Sequence, residues 1–252
     1  MELEERYIQD NFSRASSSYD NVAFVQKECA AKLVNLLKSC FPEFYPQSIL
    51  DLGTGTGYIP EILFVFFPES KFTLNDISPD MLEKTREKLA GYKEIEFILG
   101  DMEILDFGFQ DLIISNLALQ WVRNLKKMIK KSYNNSDIFV FSCLLDGTFN
   151  EWSSIFTKYL LPVPTYCYPS KQELENYLLY LKPKKYFFSS QEFTLCFPSA
   201  SEFIRYLRNL GANQGSQKIF LPDLKRIVKS YTDKINITYE VFFGILSQCR
   251  SL

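Results

Sequence analysis

Histidine is absent from all 252 residues. With it go the commonest general base and the commonest transition-metal ligand. A Ser-His-Asp hydrolase and a histidine-dependent dehydrogenase are therefore excluded. Six cysteines, at positions 29, 40, 143, 167, 196 and 249, form no C-x-x-C pair. Neither a zinc site nor a disulfide framework is indicated. Most of these thiols are expected as small buried apolar groups in a reducing cytoplasm. The longest apolar run, Ile62–Phe67, is far short of the roughly 20 residues that cross a bilayer. The opening Met1-Glu-Leu-Glu-Glu is acidic and lacks the apolar stretch of a secretory signal. No internal repeat or low-complexity linker is present. A cytoplasmic protein is expected, with no metal, and chemistry that abstracts no proton is favoured.

A hydrophobic content of 46% suits one large α/β domain, or a core with a small lid. The net charge of −2 is unevenly placed: residues 1–110 carry 10 basic and 19 acidic side chains, and residues 111–252 carry 18 and 11. The excess of positive charge in the second half suits an acidic partner, or simply a solvated face. Helical spacing covers 22–39, and Pro42 and Pro46 break it. Strands at 48–52, 71–75, 95–99, 111–115 and 137–143 alternate with helices near 58–67, 79–90 and 121–131. Beyond 143, helices fit 149–161, 171–181, 199–210 and 222–230, and strands fit 185–197 and 237–246. The extra helices are expected over the sheet's carboxyl edge, where ligands of open α/β sheets bind.

The most informative stretch is Asp51-Leu-Gly53-Thr-Gly55-Thr-Gly57. It follows a short apolar run and precedes a helical segment, the arrangement of a nucleotide cradle. The dinucleotide spacing G-x-G-x-x-G would need glycine at position 58, which is Tyr58, and the Gly-Lys-Ser/Thr ending of a P-loop is absent. The remaining pattern resembles the first motif of class I S-adenosylmethionine (AdoMet)-dependent methyltransferases. Asp51 would then sit beneath the loop and orient it. Asp76 ends the second strand, where an acid can accept from both ribose hydroxyls; the alternative, a helix cap, is already filled by Ser78. Asp101 and Met102 end the third strand, where a carboxylate can accept the adenine amine and a thioether can cover the ring; the alternative is a loop acid. Asn116, Gln120 and Trp121 follow the fourth strand and face the crevice, unless Trp121 only packs a helix. Tyr19 and Gln26 are candidates for an N-terminal lid over the cofactor; a peripheral helix is the alternative. The Asp/Asn-Pro-Pro-Phe/Tyr motif of DNA amino-methyltransferases is missing after Ser115, so nucleic acid is not an expected partner.

A narrower resemblance rests on residues outside the nucleotide loop. Phe12-x-Arg14-Ala15-x-x-x-Tyr19-Asp20-x-x-Ala23-x-x-Gln26, Ser78-Pro79-x-Met81-Leu82, Gly100-Asp101, Ser115-Asn116-Leu117-Ala118-x-Gln120-Trp121 and Asn124-Leu125 are similar to the malonyl-acyl-carrier-protein O-methyltransferases of biotin synthesis. So are Gly147, Arg205-x-Leu207-x-x-Leu210-Gly211-Ala212 and Thr238-Tyr239-x-x-Phe242-x-Gly244. Two departures, Asn134-Asn135-Ser136-Asp137 for the usual Pro-Gly-Gly turn and Thr54 and Thr56 in the glycine loop, leave the backbone roles intact.

The resemblance implies a Rossmann-like fold with a mostly parallel seven-stranded sheet, helices on both faces and a helical lid over the carboxyl edge. It implies N-terminal lid helices at 1–45, the cofactor core at 46–148, a helical insertion at 149–182, and closing strands at 183–252 with a substrate-side segment at 199–235. AdoMet would be converted to S-adenosylhomocysteine while its methyl group passes to the free carboxylate of malonyl-acyl carrier protein. Asp51, Gly53, Gly55, Gly57, Asp76, Ile77, Asp101, Met102, Asn116, Gln120 and Gln26 would hold the cofactor. Arg205, with Tyr19 and Trp121, would serve catalysis, Arg205 gripping the carboxylate, with Arg208 as second choice. Carrier proteins are acidic, and Lys182, Lys184, Lys185, Arg205, Arg208, Lys225 and Lys229 would form the docking face. A monomer is expected. A methyltransferase for another small carboxylate and a non-catalytic AdoMet-binding partner protein are the competing readings.

Overall fold

The computed structural model describes residues 3–163, 166–212 and 221–248. Three helices come first: α1 (Leu3–Ala15), α2 (Tyr19–Val22) and α3 (Phe24–Cys40). The alternating core follows as β1 (Ser48–Leu52), α4 (Tyr58–Phe66), β2 (Lys71–Asp76), α5 (Pro79–Lys88), β3 (Ile95–Leu99), β4 (Gln110–Asn116), α6 (Leu125–Asn134) and β5 (Ser136–Leu144). Then come α7 (Asn150–Lys158), α8 (Lys171–Tyr180), β6 (Lys185–Phe197), α9 (Ala200–Asn209), α10 (Leu221–Ser230) and β7 (Ile235–Ser247).

The strands form one seven-stranded sheet in the order β3-β2-β1-β4-β5-β7-β6. β1 to β5 pair in parallel, and β7 lies antiparallel between β5 and β6. Side chains alternate across a strand, so each central strand feeds two cores. Ile49, Leu112, Ile114, Ile138 and Val140 pack with α3 and α4 on one face. Leu50, Ile113, Phe139 and Phe141 pack with Met128 and Ile129 of α6 and Leu174 and Leu178 of α8 on the other. Burial on both faces explains why these strands read as continuous apolar runs.

Most elements lie where the sequence places them; two local features differ. The helix expected from 121 begins at Leu125, because the Asn124 side chain caps it by accepting from Lys127 N–H at 2.9 Å. Residues 119–121 form a 3-10 turn instead, after Leu117 in the left-handed region (φ 47°). Burial of the cysteines is narrower than expected: Cys29 and Cys143 are buried, Cys40 is intermediate, and Cys167 and Cys196 are exposed. Position 249 lies outside the described residues.

The β6–β7 ribbon builds a roof over the site. Leu144, the last residue of β5, pairs with Val241, so Ile235–Glu240 runs on beyond the carboxyl edge by roughly 20 Å at ~3.4 Å per residue. α9 and α10 connect the two strands up there. α9 ends at Gly211, in the left-handed conformation (φ 75°) that favours glycine. A Cβ on Gly211 would lie 2.9 Å from the Phe12 ring and 3.1 Å from Phe12 Cα. The N-terminal helix and the roof helix therefore meet across a glycine. Gly211→Ala is expected to lower unfolding stability by about 1–3 kcal/mol, combining φ strain with overpacking. Urea denaturation checks this, and an unchanged midpoint would mean that the contact yields freely.

Candidate active site

The loop after β1 turns in three left-handed glycines. Gly53 and Thr54 donate their backbone N–H groups to the Asn75 carbonyl at 2.9 Å each. A side chain at Gly53 would put its Cβ 2.4 Å from Ala118 Cβ, so only glycine lets the loop pass this close to the end of β4. Beneath the loop, Asp51 is fully buried. Neither carboxylate oxygen has a hydrogen-bond partner, although the Thr54 hydroxyl is near enough to lower its proton affinity somewhat. Burial dominates and pushes the Asp51 carboxyl up to about 7, with the nearby Asp76 adding to the rise.

Asp51 borders a small, partly open recess shared with Tyr19, Gln26, the glycine loop, Tyr58 and Asn116. Gln26 Oε1, Thr54 Oγ1 and the Tyr58 hydroxyl are likewise buried without a hydrogen-bond partner. An unpaired buried carboxylate among unpartnered polar groups is costly unless a ligand brings hydrogen bonds and positive charge. AdoMet carries an ammonium and a sulfonium, so these residues fit it.

Asp76 holds the loop through both oxygens. It accepts from Gly55 N–H and from Ser78 N–H, each at 2.8 Å. Burial nonetheless lifts its carboxyl to about 6 against those bonds. Ser78 carries out the capping of α5, its hydroxyl accepting from Met81 N–H at 3.2 Å. Ile77 turns its carbonyl to Gln9 of α1. Asp101 accepts from Glu103 N–H and pairs with Arg123 at 3.2 Å. Burial raises its pKa and Arg123 offsets part of that. Met102 lies against Gly53, and its carbonyl accepts from Lys131 Nζ. Asn116 accepts from Ser142 through its oxygen and donates to the Gln26 carbonyl, which ties α3 to the end of β4. Gln120 donates to the Leu117 carbonyl, leaving Oε1 buried and unpaired.

The sequence did not reveal how the N-terminal segment is fastened. Asp20 accepts from Thr56 Oγ1 of the glycine loop at 2.6 Å and pairs with Lys88 of α5 at 3.2 Å. Arg123 pairs with Glu5 of α1 at 2.9 Å, besides Asp101 and Glu103. Ser13 shares a hydrogen bond with Ser78. α1 and α2 thus lie across the strand ends that carry Asp76 and Asp101. These partners are far apart in sequence, and no local motif announces them.

Above this floor is an aromatic wall. Trp121 takes Phe12 and Tyr166 edge-on, each at 5.4 Å. Tyr19 lines the cavity, and its pKa is raised by burial and then by Asp76 and Tyr206. Tyr239 of β7 donates to the Tyr206 hydroxyl of α9 at 3.2 Å.

The cations expected at the acceptor are placed otherwise. Arg205 projects from α9 into solvent, its side chain 65% exposed and paired with Glu202 at 2.9 Å. Arg208 is also exposed. Lys182, Lys184 and Lys185 stand at the start of β6, where Lys185 pairs in register with Ser247, at the amino edge of the sheet. Lys225 and Lys229 are exposed on α10 in the roof. β6 is 13 residues long, so the two lysine groups are separated by roughly 40 Å. The structure does not bring them onto one face. Sequence proximity misleads here because a long strand carries its two ends to opposite edges.

This sheet order, with a glycine loop after β1 and acids at the end of β2 and just after β3, defines a class I AdoMet-dependent methyltransferase. Residues 46–196 match the family described as Methyltransferase domain. The plantazolicin methyltransferase solved in complex with SAH superposes with a TM-score of 0.57 at 17% identity, covering 97% of this chain and 95% of that one. A methyltransferase structure from Bacillus halodurans gives 0.60 at 12% identity, covering 86% and 99%. The chain is 38% identical over 238 residues to a malonyl-acyl-carrier-protein O-methyltransferase of Neorickettsia risticii, spanning 94% of each. One from Anoxybacillus flavithermus is 31% identical, over 85% of this chain and 83% of its own length. The chain belongs to the malonyl-acyl-carrier-protein O-methyltransferase family.

Two measurements probe the floor of the site. A cationic ligand favours ionised Asp51, so binding lowers its pKa from about 7 and releases protons. AdoMet affinity is expected to rise as pH increases toward 7, with proton release visible by calorimetry in buffers of different ionisation enthalpy. Asp51→Asn should remove most of that release; a full release in the variant would contradict the assignment. Asp76→Ala is expected to weaken AdoMet by about 1–3 kcal/mol, through lost ribose bonds and a loosened Gly55. Unchanged affinity in a folded variant would place the ribose elsewhere.

Proposed function

We propose that this enzyme esterifies the free carboxylate of malonyl-acyl carrier protein with a methyl group from AdoMet, an early step toward the pimeloyl chain of biotin. The observation that carries the reading is the buried, unpartnered Asp51 in the recess it shares with Tyr19, Gln26 and the glycine loop. The family relatives supply the acceptor class. A carboxylate is already ionised at neutral pH, so the absence of histidine costs nothing. AdoMet supplies a methyl group on a positively charged sulfur; the acceptor's oxygen bonds to that carbon as the carbon–sulfur pair returns to sulfur. Positive and negative charge are both consumed and no proton moves. The protein's work is to bind, to align and to exclude water.

Asp51 and Gln26 would receive the methionine ammonium, Asp76 with Ile77 the ribose, and Asp101 with Met102 the adenine. Asn116, Gln120, Trp121 and Tyr19 would line the transfer site. The N-terminal segment would act as a lid, since its fastenings at Asp20 and Arg123 are partly exposed and open at modest cost.

Docking of the acidic carrier is assigned to the roof. Arg205, Arg208, Lys225, Arg226 and Lys229 stand there against Glu202 and Asp223, leaving a positive surplus beside the site. Arg205 can serve there because its exposed pair with Glu202 is worth only about 0.5 kcal/mol and exchanges easily. The reading takes the protein as a cytoplasmic monomer with no nucleic-acid partner.

Incubation of malonyl-carrier protein with AdoMet should add one methyl group by mass, and no added mass would overturn the acceptor. Charge reversal at Arg208, Lys225 and Lys229 should raise the KM for the carrier-bound substrate several-fold and flatten its salt dependence, with little change for malonyl-CoA. Reversal at Lys182, Lys184 and Lys185 should do neither. The opposite pattern would move the docking face to the amino edge.

A further inference from the structure

Adjacent residues of α9 point in different directions. Successive side chains on a helix diverge by ~100°, so the exposure of Arg205 turns Tyr206 inward. There the Tyr206 ring packs on Phe197 at 5.0 Å. Its oxygen accepts from the Tyr239 hydroxyl at 3.2 Å. Tyr239 is buried on β7, its ring held against Phe149 at 4.7 Å. The only proton of Tyr239 is used in this bond. The proton of Tyr206 is left over, and among the described residues it has no acceptor.

The spare donor is on the site side of the roof. Ser18, next to Tyr19, donates to the Asn209 carbonyl at 3.0 Å, one turn beyond Tyr206. This bond fixes α9 beside the α2 segment whose Tyr19 lines the cavity. After burial, Tyr206 is close enough to raise the pKa values of both Tyr19 and Tyr239, and the bond from Tyr239 lowers that of Tyr206.

We infer that Tyr206, oriented by the hydroxyl of Tyr239, donates the hydrogen bond that holds the acceptor's carboxylate beside the methyl group, a role that rests on the acceptor proposed above. A phenol suits this task better than a guanidinium. Burial pushes the Tyr206 hydroxyl up to about 12, so it stays neutral and protonated. It aligns the carboxylate without cancelling the charge that makes the oxygen nucleophilic. The bond received from Tyr239 polarises Tyr206 and strengthens the bond it gives. The proton stays on Tyr206 throughout, because the ester product is neutral.

The test compares wild type, Tyr206→Phe, Tyr239→Phe and the double variant, with malonyl-carrier protein as acceptor and S-adenosylhomocysteine binding followed by calorimetry. Tyr206→Phe should lower kcat/KM by about 10- to 100-fold, the loss of one bond to a charged group, at unchanged S-adenosylhomocysteine affinity. Tyr239→Phe should lower it less. The double variant should be no worse than Tyr206→Phe, because Tyr239 acts through Tyr206. Wild-type-like turnover in Tyr206→Phe, or losses that multiply in the double variant, would overturn the assignment while leaving the acceptor intact. No methyl transfer by wild type would overturn both. Should Tyr206→Phe lose S-adenosylhomocysteine binding, Tyr239→Phe decides: reduced turnover at full affinity supports the relay, and unchanged turnover rejects it.

Discussion

A carboxylate buried without a cation is the constraint on which the site depends. Asp51 ends inside the sheet with both oxygens unpaired, and no lysine or arginine approaches it among the described residues. Leaving such a group uncompensated opposes folding. Part of that cost is met by the rise of the Asp51 carboxyl to about 7, which burial causes. Its neighbour Asp76 is tied to two backbone N–H groups and still titrates above an ordinary carboxylate. The floor of the site is thus short of positive charge, and a ligand that brings it would complete the structure. A methyl group carried on cationic sulfur is such a ligand.

The second organising feature is one line of contacts from the roof to the floor. Gly211 lets the end of α9 rest on Phe12. Phe12 meets the edge of Trp121, and Trp121 meets Tyr166. Trp121 belongs to the turn that follows β4, whose Asn116 reaches back to α3. The roof helix, the N-terminal helix and the strand ends are consequently packed as one wall. Residues that looked like scattered motifs, Phe12, Trp121 and the Leu210-Gly211-Ala212 element, are consecutive links in it. Acceptor and cofactor would meet where this wall faces the glycine loop.

Much of the fold was legible because its signals are local. Apolar runs bounded by turns, a glycine loop and the Ser78-Pro79 cap each act within a few residues. They placed the seven strands, and the acids Asp51, Asp76 and Asp101 at or just beyond strand ends. The roof was less legible. Its helices are short, and the direction of a side chain on them depends on what packs beneath. Arg205 and Tyr206 are neighbours in sequence, and only the packing of α9, through its own Phe203, onto Phe197 of β6 decides that the tyrosine turns inward.

The amino-acid sequence by itself determined the class of fold, the cofactor loop and the exclusion of histidine chemistry, since each follows from residue type and short-range spacing. Tertiary structure alone decided which polar groups meet. Arg123 draws together Glu5 of α1 and the Asp101–Glu103 loop, two segments far apart in sequence. Tyr239 finds Tyr206 across a 33-residue separation. The lysines of 182–185 are divided from those of α10 by the length of β6. Hydrogen bonds and ion pairs act over a few ångströms, so their partners are set by how the sheet carries distant segments together, and sequence spacing does not encode that.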